Sequence, residues 1–515
     1  MKTLIGLCLL FPAGVATAQP VVRSFDGDNG PGLAVCESGV THCDRPEMNV
    51  GVNGKQVVQV TWQNVRIYDH KGHLLESIPM STFIRKAGLD PTPPQRPGAA
   101  NPPPADTRGP YEPSVVFDEF VGRWIITVTG LNDCTLVSAS SDATGSWGGA
   151  YVSCQQGGPC LNFDPALHIG YDKNGVYLCG GHLGDDNPHT IPKVAYDCFG
   201  IPPTEVRAIA QGTPPAHVNR AHNMPLDIFP AIDHNRSKPA GAPSLFASKT
   251  CDRATLGGCQ NATNFPFRWV VDTFTWNGAT GNYNTGGEQE IKNDVGSTQD
   301  KWLYSKPCCG QLGNIPQAGN QTIGLRVAES HRFTNLVQFG SHLHGVTTSG
   351  PCTKDCGSQG TDTTNVMFWV DLDCSKPAAC VVSQTAKISG ASFNPSFATV
   401  GVDAAGNVGI VAVSSTASTD LSLLLWTHRT TDPPNTFNGP TTVVSGTQPF
   451  TCLNTRDMAT IGNAVGVLTA LDPQDGTKLW TTQQWSNDAT RCVWNTRIVE
   501  YQITKPANPK RGKQP

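Results

Sequence analysis

Val465-Gly466-Val467-Leu468-Thr469-Ala470-Leu471, then Asp472-Pro473-Gln474-Asp475-Gly476, then Lys478-Leu479-Trp480-Thr481-Thr482-Gln483-Gln484-Trp485 is the stretch that decides the fold. An apolar strand runs into an Asp/Gly turn, and a second strand returns, ending in polar and aromatic residues. The same grammar recurs upstream. Met48–Val52 turns at Asn53-Gly54 into Gln56–Trp62, and Ser114–Phe117 turns through Asp118 and Gly122 into Arg123–Val128. Ala166–Tyr171 returns as Val176–Gly180, Ile228–Ile232 as Ser244–Lys249, Asn335–Phe339 as His342–Thr347, and Phe397–Val402 as Val408–Val413. That makes seven units, spaced by roughly 55 to 70 residues, the size of a four-stranded blade with its loops. The expectation is an all-β chain folded as a single seven-bladed β-propeller of four-stranded blades.

The rest of the chain fits around that repeat. Lys2, the apolar run Leu4–Val15 and Ala16-Thr17-Ala18 read as a signal peptide over 1–18. The run is too short to span a bilayer, and no later stretch is long and apolar enough. The propeller is expected over 19–504, with a Pro-rich loop at 86–110, an insertion between blades at 250–324 and a basic tail at 505–515. Charged residues are only 15%, net charge is −4, and the basic residues are scattered, so no nucleic-acid footprint is present. The chain is expected to be secreted, extracellular or periplasmic, and monomeric.

Of 18 cysteines, setting aside Cys8 in the signal segment leaves 17. Cys36/Cys43, Cys154/Cys160, Cys251/Cys259, Cys352/Cys356 and Cys374/Cys380 lie close in sequence and read as loop-stapling disulfides in an exported chain. Cys452 and Cys492 flank the final hairpin and could join its loops. The adjacent Cys308-Cys309 have no such reading.

In a propeller, residues just before each inner strand converge at one mouth of the central channel. Glu112-Pro113-Ser114, Asp164-Pro165-Ala166 and Asn394-Pro395-Ser396 repeat there, Glu47 holds the matching place in the first unit, and Asp227 enters the fourth. Two such carboxylates could flank a glycosidic bond, or hold a structural calcium ion among hard oxygen ligands. Equally, each could accept backbone N–H groups of its own turn. His182 and His222 fall on the same expected face and would supply a base near neutral pH. Arg326 and Arg456 precede inner strands and suit a carboxylate-bearing ligand, or tie loops together. Trp62 and Trp485 each close a second strand and could stack on a sugar. His182 and His222 could equally be part of a metal site, which the sequence leaves open, and no cofactor is called for beyond the calcium ion.

Asp472-Pro473-Gln474-Asp475-Gly476 with Leu479–Gln484, and Trp494-Asn495-Thr496-Arg497-Ile498, resemble exported sialidase-like β-propeller proteins of mostly unassigned function. The resemblance covers nearly the whole mature chain. It implies a carbohydrate-active enzyme cleaving a glycosidic bond, as a hydrolase or as a lyase on an acidic sugar, acting on an extracellular polysaccharide or oligosaccharide. A non-catalytic glycan- or protein-binding propeller is the alternative. Ser141-Asp142-Ala143-Thr144-Gly145-Ser146-Trp147 is a variant of the sialidase Asp-box with one residue too many. No arginine triad or Tyr–Glu nucleophile pair is found, so catalytic residues are not carried over.

Overall fold

The structure, a computed structural model, describes residues 21–29, 48–90, 111–129, 134–152, 167–182, 195–224, 228–250, 268–277, 280–283, 289–292, 301–302, 311–326, 333–349, 351–352, 366–390, 392–449, 460–461, 468–486 and 495–503. Among them strands dominate, with two α-helices, Met80–Lys86 and Pro203–Ala210. Most strands are antiparallel neighbours joined in sequence order. Strands sandwiched between blades are buried on both faces and so read as continuous apolar runs rather than alternation. Val408–Thr416 is an example, buried at every position but its last.

The propeller has five blades, not the seven expected from the repeat. Four are four-stranded. Asn49–Val52 to Leu74–Pro79 makes one, Tyr111–Asp118 to Trp147–Tyr151 a second, and Pro395–Val402 to Asn438–Val444 a third. The fourth joins Thr469–Leu471, Leu479–Trp485 and Asn495–Tyr501 to the N-terminal strand Val21–Asn29. A separate five-stranded sheet is centred on Ser244–Thr250 and Arg268–Asn277.

The hairpin units expected as the third and fifth blades do not stand apart. They merge into one nine-stranded sheet. The cause is the short strand Ile232–Asp233, whose Ile232 pairs parallel with Tyr171 on one side and with Val337 on the other. A hairpin repeat counts turns, and it is blind to a ladder bond that fuses two units.

The blades pack face to face. Val58, Val60 and Ile67 of one blade meet Val115, Trp124 and Ile126 of the next. Val413, Leu423 and Leu425 meet Leu479, Val499 and Tyr501. Contact is close at Gly409, where an added Cβ would come within 2.5 Å of the Tyr501 ring.

The ring closes through its own N-terminal strand, in which Phe25 pairs with Ile498. Asp28 on that strand is fully buried. It takes Arg66 at 2.7 Å, the Thr61 hydroxyl at 2.6 Å and the Asn64 amide at 2.9 Å, all from the neighbouring blade. Gln59 accepts the Asp28 N–H and donates to Thr482 and Thr496, so three sheet segments share one buried polar node.

A second regularity explains the turns. Asp118, Asp172, Asp233, Asp403 and Asp472 follow or end inner strands, and each carboxylate accepts backbone N–H groups two or more residues on. Asn53 does the same with its amide oxygen. These side chains complete the tight turns that the backbone alone leaves unsatisfied.

Candidate functional site

Residues of five inner strands line a small cavity of about 10 Å³, room for about one water molecule, partly open to solvent. Its wall is apolar, with Val52, Val116, Ile232 and Leu471 among the lining residues, and Tyr171 and His234 are its polar groups. It lies at the mouth where the inner strands end.

His234 follows Asp233 directly, and Glu119 follows Asp118, so each is projected by a turn whose aspartate is already committed to backbone N–H groups. His234 Nδ1 lies 2.8 Å from Glu119 Oε1 and 3.4 Å from the Tyr171 hydroxyl. The Glu119 carboxylate is nearly buried, and the His234 imidazole keeps 19% exposure, so one edge of the ring is reachable.

The titrations are pushed apart. Burial opposes charge on His234, but the Glu119 carboxylate outweighs it and holds the imidazole above its ordinary value. Burial likewise opposes charge on Glu119, and His234 overcomes it, leaving the carboxyl below its usual range. Asp118 is pushed up to about 7 by burial, with the Glu119 and Asp172 charges adding to the shift. Tyr171 is raised well above 10 by burial and by Glu119 and Asp118. Neighbouring groups with divergent pKa values are what acid–base chemistry requires.

Next to this set, Lys238 is buried between two turn aspartates, 2.6 Å from Asp172 Oδ2 and 3.1 Å from Asp233 Oδ2. Asp172 also accepts the Tyr177 hydroxyl at 3.0 Å, and Trp276 Nε1 donates to Tyr177 at 2.7 Å. This network ties sheets together.

The expected site lay at the opposite mouth. Glu47, Asp164, Asp227 and Arg456 fall outside the described residues. The backbones of His182, His222 and Arg326 lie in strands Gly175–His182, Asn219–Met224 and Gln321–Arg326, and their side chains are outside the described set. Glu112 is described and is 94% buried, 6% exposed, with a left-handed φ of 52° at a bulge in its strand. A non-glycine residue held there carries backbone strain. Two residues at matching positions are structural. Asn49 Oδ1 accepts the Leu468 N–H at 3.1 Å, and the Asn394 amide donates to Ser415 O at 3.3 Å.

Trp485 is 9% exposed and sits in an apolar cluster against which Trp62 packs half-buried. The Arg497 guanidinium stands over the Trp485 ring at 5.6 Å. Neither indole N–H has a hydrogen-bond partner among the described residues.

Glu119 and His234 went unread in the sequence because attention fell on the residues before the inner strands. The signal was present: in Asp118-Glu119 and Asp233-His234, as in Asp172-Lys173, an ionisable residue directly follows a turn aspartate at the end of an inner strand.

Among the described residues two disulfides form, Cys374–Cys380 as expected and Cys179–Cys198, which bridges residues directly opposite on paired strands. The other expected pairs lie outside the described side chains. No helix among the described residues is long and apolar enough to cross a membrane.

No family model matches the chain, and no curated protein matches it. Several solved structures are similar in fold. Kuenenia stuttgartiensis hydrazine synthase is 7% identical, over 85% of this chain and 92% of that one, with a TM-score of 0.39. An ulvan lyase of a new polysaccharide lyase family is 10% identical over 73% and 80%, at 0.34. An endo-arabinase from Bacteroides thetaiotaomicron VPI-5482 is 11% identical over 64% and 93%, at 0.30. Two of these three are carbohydrate-active enzymes by name. At such scores the likeness carries no argument about what this chain does.

Proposed function

We propose that the chain is an exported carbohydrate-active enzyme that cleaves a glycosidic bond, as a hydrolase or as a lyase on an acidic sugar. The observation that carries this reading is the cluster of Glu119, His234 and Tyr171, of which His234 and Tyr171 line a small cavity, beside Asp118 at about 7. It brings a carboxylate, an imidazole biased toward its charged form and a phenol together, the group types that general acid–base chemistry draws on. A signal-like N-terminus and two disulfides support export. The protein works as a monomer without a cofactor in this reading.

The second location is the opposite mouth, with Glu112, Asp164, His182 and His222 as catalytic groups and Glu47, Asp227, Arg326 and Arg456 around the sugar. The strain at Glu112 supports it. Both locations belong to one strand, Tyr111–Asp118, whose ends lie about 20–25 Å apart. Turnover measured on acidic and neutral polysaccharides separates them. His234→Ala and Glu119→Gln are expected to lower kcat at least a hundredfold, while Asp164→Asn, His182→Ala and His222→Ala leave it within a few fold. The reverse pattern moves the site to the other mouth. Saturable glycan binding without turnover by the wild type replaces the enzyme with a binding propeller.

A further inference from the structure

The aspartates that cap the inner-strand turns accept backbone N–H groups, as Asp118 and Asp472 do. Asp172 differs, because a buried lysine reaches it from another segment. Lys238 stands in the long turn between Ile232–Asp233 and Ser244–Thr250, and its Nζ is 2.6 Å from Asp172 Oδ2. Lysine is seldom fully buried, and the attraction within a buried ion pair often fails to repay its desolvation. Asp233 Oδ2 faces the same Nζ at 3.1 Å, and it has no hydrogen-bond partner among the described residues.

The two oxygens of Asp172 stand in different surroundings. Oδ1 accepts the N–H of Asn174 at 2.7 Å, that of Gly175 at 3.3 Å and the Tyr177 hydroxyl at 3.0 Å. Oδ2 accepts the Ser244 hydroxyl and the Lys238 ammonium. Phe246 and Phe274 pack edge-on against the Tyr177 ring, at 5.2 and 5.3 Å, and cover this side of the carboxylate. An amine against a carboxyl group, three donors on one oxygen and a second carboxylate beside the amine are the parts of an acyl-transfer site.

We propose that Lys238 and Asp172 join in an intramolecular isopeptide bond, with Asp233 as the proton carrier. Lys238 Nζ passes a proton to Asp233, and the free amine attacks the Asp172 carboxyl carbon. As the N–C bond forms, charge collects on Oδ1, where the Asn174 and Gly175 N–H groups and the Tyr177 hydroxyl hold it. The C–Oδ2 bond then breaks. Oδ2 leaves as water with the two protons that the nitrogen gives up, carried in turn by Asp233, while the Ser244 hydroxyl supports the departing oxygen. The ammonium and carboxylate charges cancel, nothing is oxidised or reduced, and Asp233 ends as it began. Burial raises the Asp233 carboxyl above its usual range against the opposing charge of Lys238, which suits a group that takes and returns a proton. Contact distance in a buried site supplies the effective concentration that the condensation needs. The product replaces a buried ion pair with a neutral amide. It closes a loop across 66 residues, and unlike a disulfide it withstands reductant.

The test is mass spectrometry of the reduced, denatured wild-type protein, intact and after digestion. The expected result is a chain one water lighter than its sequence, and a branched peptide joining Asp172 to Lys238. Lys238→Met is expected at its full sequence mass. Asp233→Asn is expected to leave most of the chain unlinked. Wild type at full sequence mass, or a water loss confined to a linear peptide as a succinimide, overturns the proposal whether or not the variants fold. Complete linkage in Asp233→Asn overturns the role given to Asp233. The outcome is independent of any activity on glycans.

Discussion

Glu119 and His234 meet at 2.8 Å across 115 residues of chain, one from the end of a blade's inner strand and the other from the strand that fuses the nine-stranded sheet. The pair therefore staples separate sheets at the channel mouth, and its strength depends on pH. His234 has a folded value raised above 6.5, so its contribution is complete below 6.5 and is lost as pH rises through the folded value. Glu119 has a folded value lowered from 4.5, so its contribution is present above 4.5 and is lost as pH falls through the folded value. Thermal unfolding of wild type against His234→Gln is expected to differ most between 4.5 and 6.5. The difference there should be about 1–3 kcal/mol, for a charge-assisted contact that is partly exposed. A difference independent of pH would mean the pair contributes packing alone.

Asp118 behaves in the opposite sense to an ordinary carboxylate. Its folded value is raised from 3.8 to about 7, so deprotonation on the folded chain becomes a growing penalty between those two pH values. Its structural work needs only an acceptor oxygen, for the N–H groups of Phe120 and Val121. Asn53 performs that work with an amide in another blade. Asp118→Asn is therefore expected to stabilise the protein above pH 7, by 1 kcal/mol or more as an order of magnitude, and to change little at pH 4. Urea unfolding at the two pH values measures it.

Lys238 gives the converse case. It is buried between Asp172 and Asp233, and its removal leaves two carboxylates facing each other in a dry site. Lys238→Met is expected to cost about 3–5 kcal/mol, because an uncompensated buried charge outweighs the apolar area gained. Denaturant midpoints check this, and a change below about 1 kcal/mol would show that the carboxylates take up protons or water instead.

The architecture was legible where local chemistry repeats. Asx-capped turns and apolar inner strands announce themselves in sequence, as at Asp472 and Asp403, because the turn bonds fall within a few residues. The blade count was not legible, since it hinges on Ile232, whose two parallel pairings reach Tyr171 and Val337 over long separations. Cys179–Cys198 escaped for the same reason: proximity came from strand register, not from sequence spacing. Most of the site residues expected from sequence lie outside the described side chains. Of the repeated residues, Asn49 bonds across to Leu468 of another blade and Asn394 bonds within its own blade, while Glu119 and His234 carry the unusual titration.

Trp485 supplies the remaining test, because two roles make different demands on it. As a core residue it fills space between Val413, Leu423 and Tyr501, and its ring faces the Arg497 guanidinium. Truncation to alanine should then cost about 3–5 kcal/mol by cavity formation. Its indole N–H has no partner among the described residues, so Trp485→Phe should cost no more than about 1–2 kcal/mol and leave glycan binding unchanged. As a sugar-stacking residue, as expected from sequence, it would need an exposed face, and Trp485→Phe would weaken binding through the lost donor and the smaller ring. Trp62 is half-buried against the same cluster and keeps more of its surface open, so it is the better candidate for that role. Trp62→Ala is expected to lower glycan affinity severalfold with a stability loss smaller than that of Trp485→Ala. Equal stability losses with unchanged affinity would assign both rings to the core.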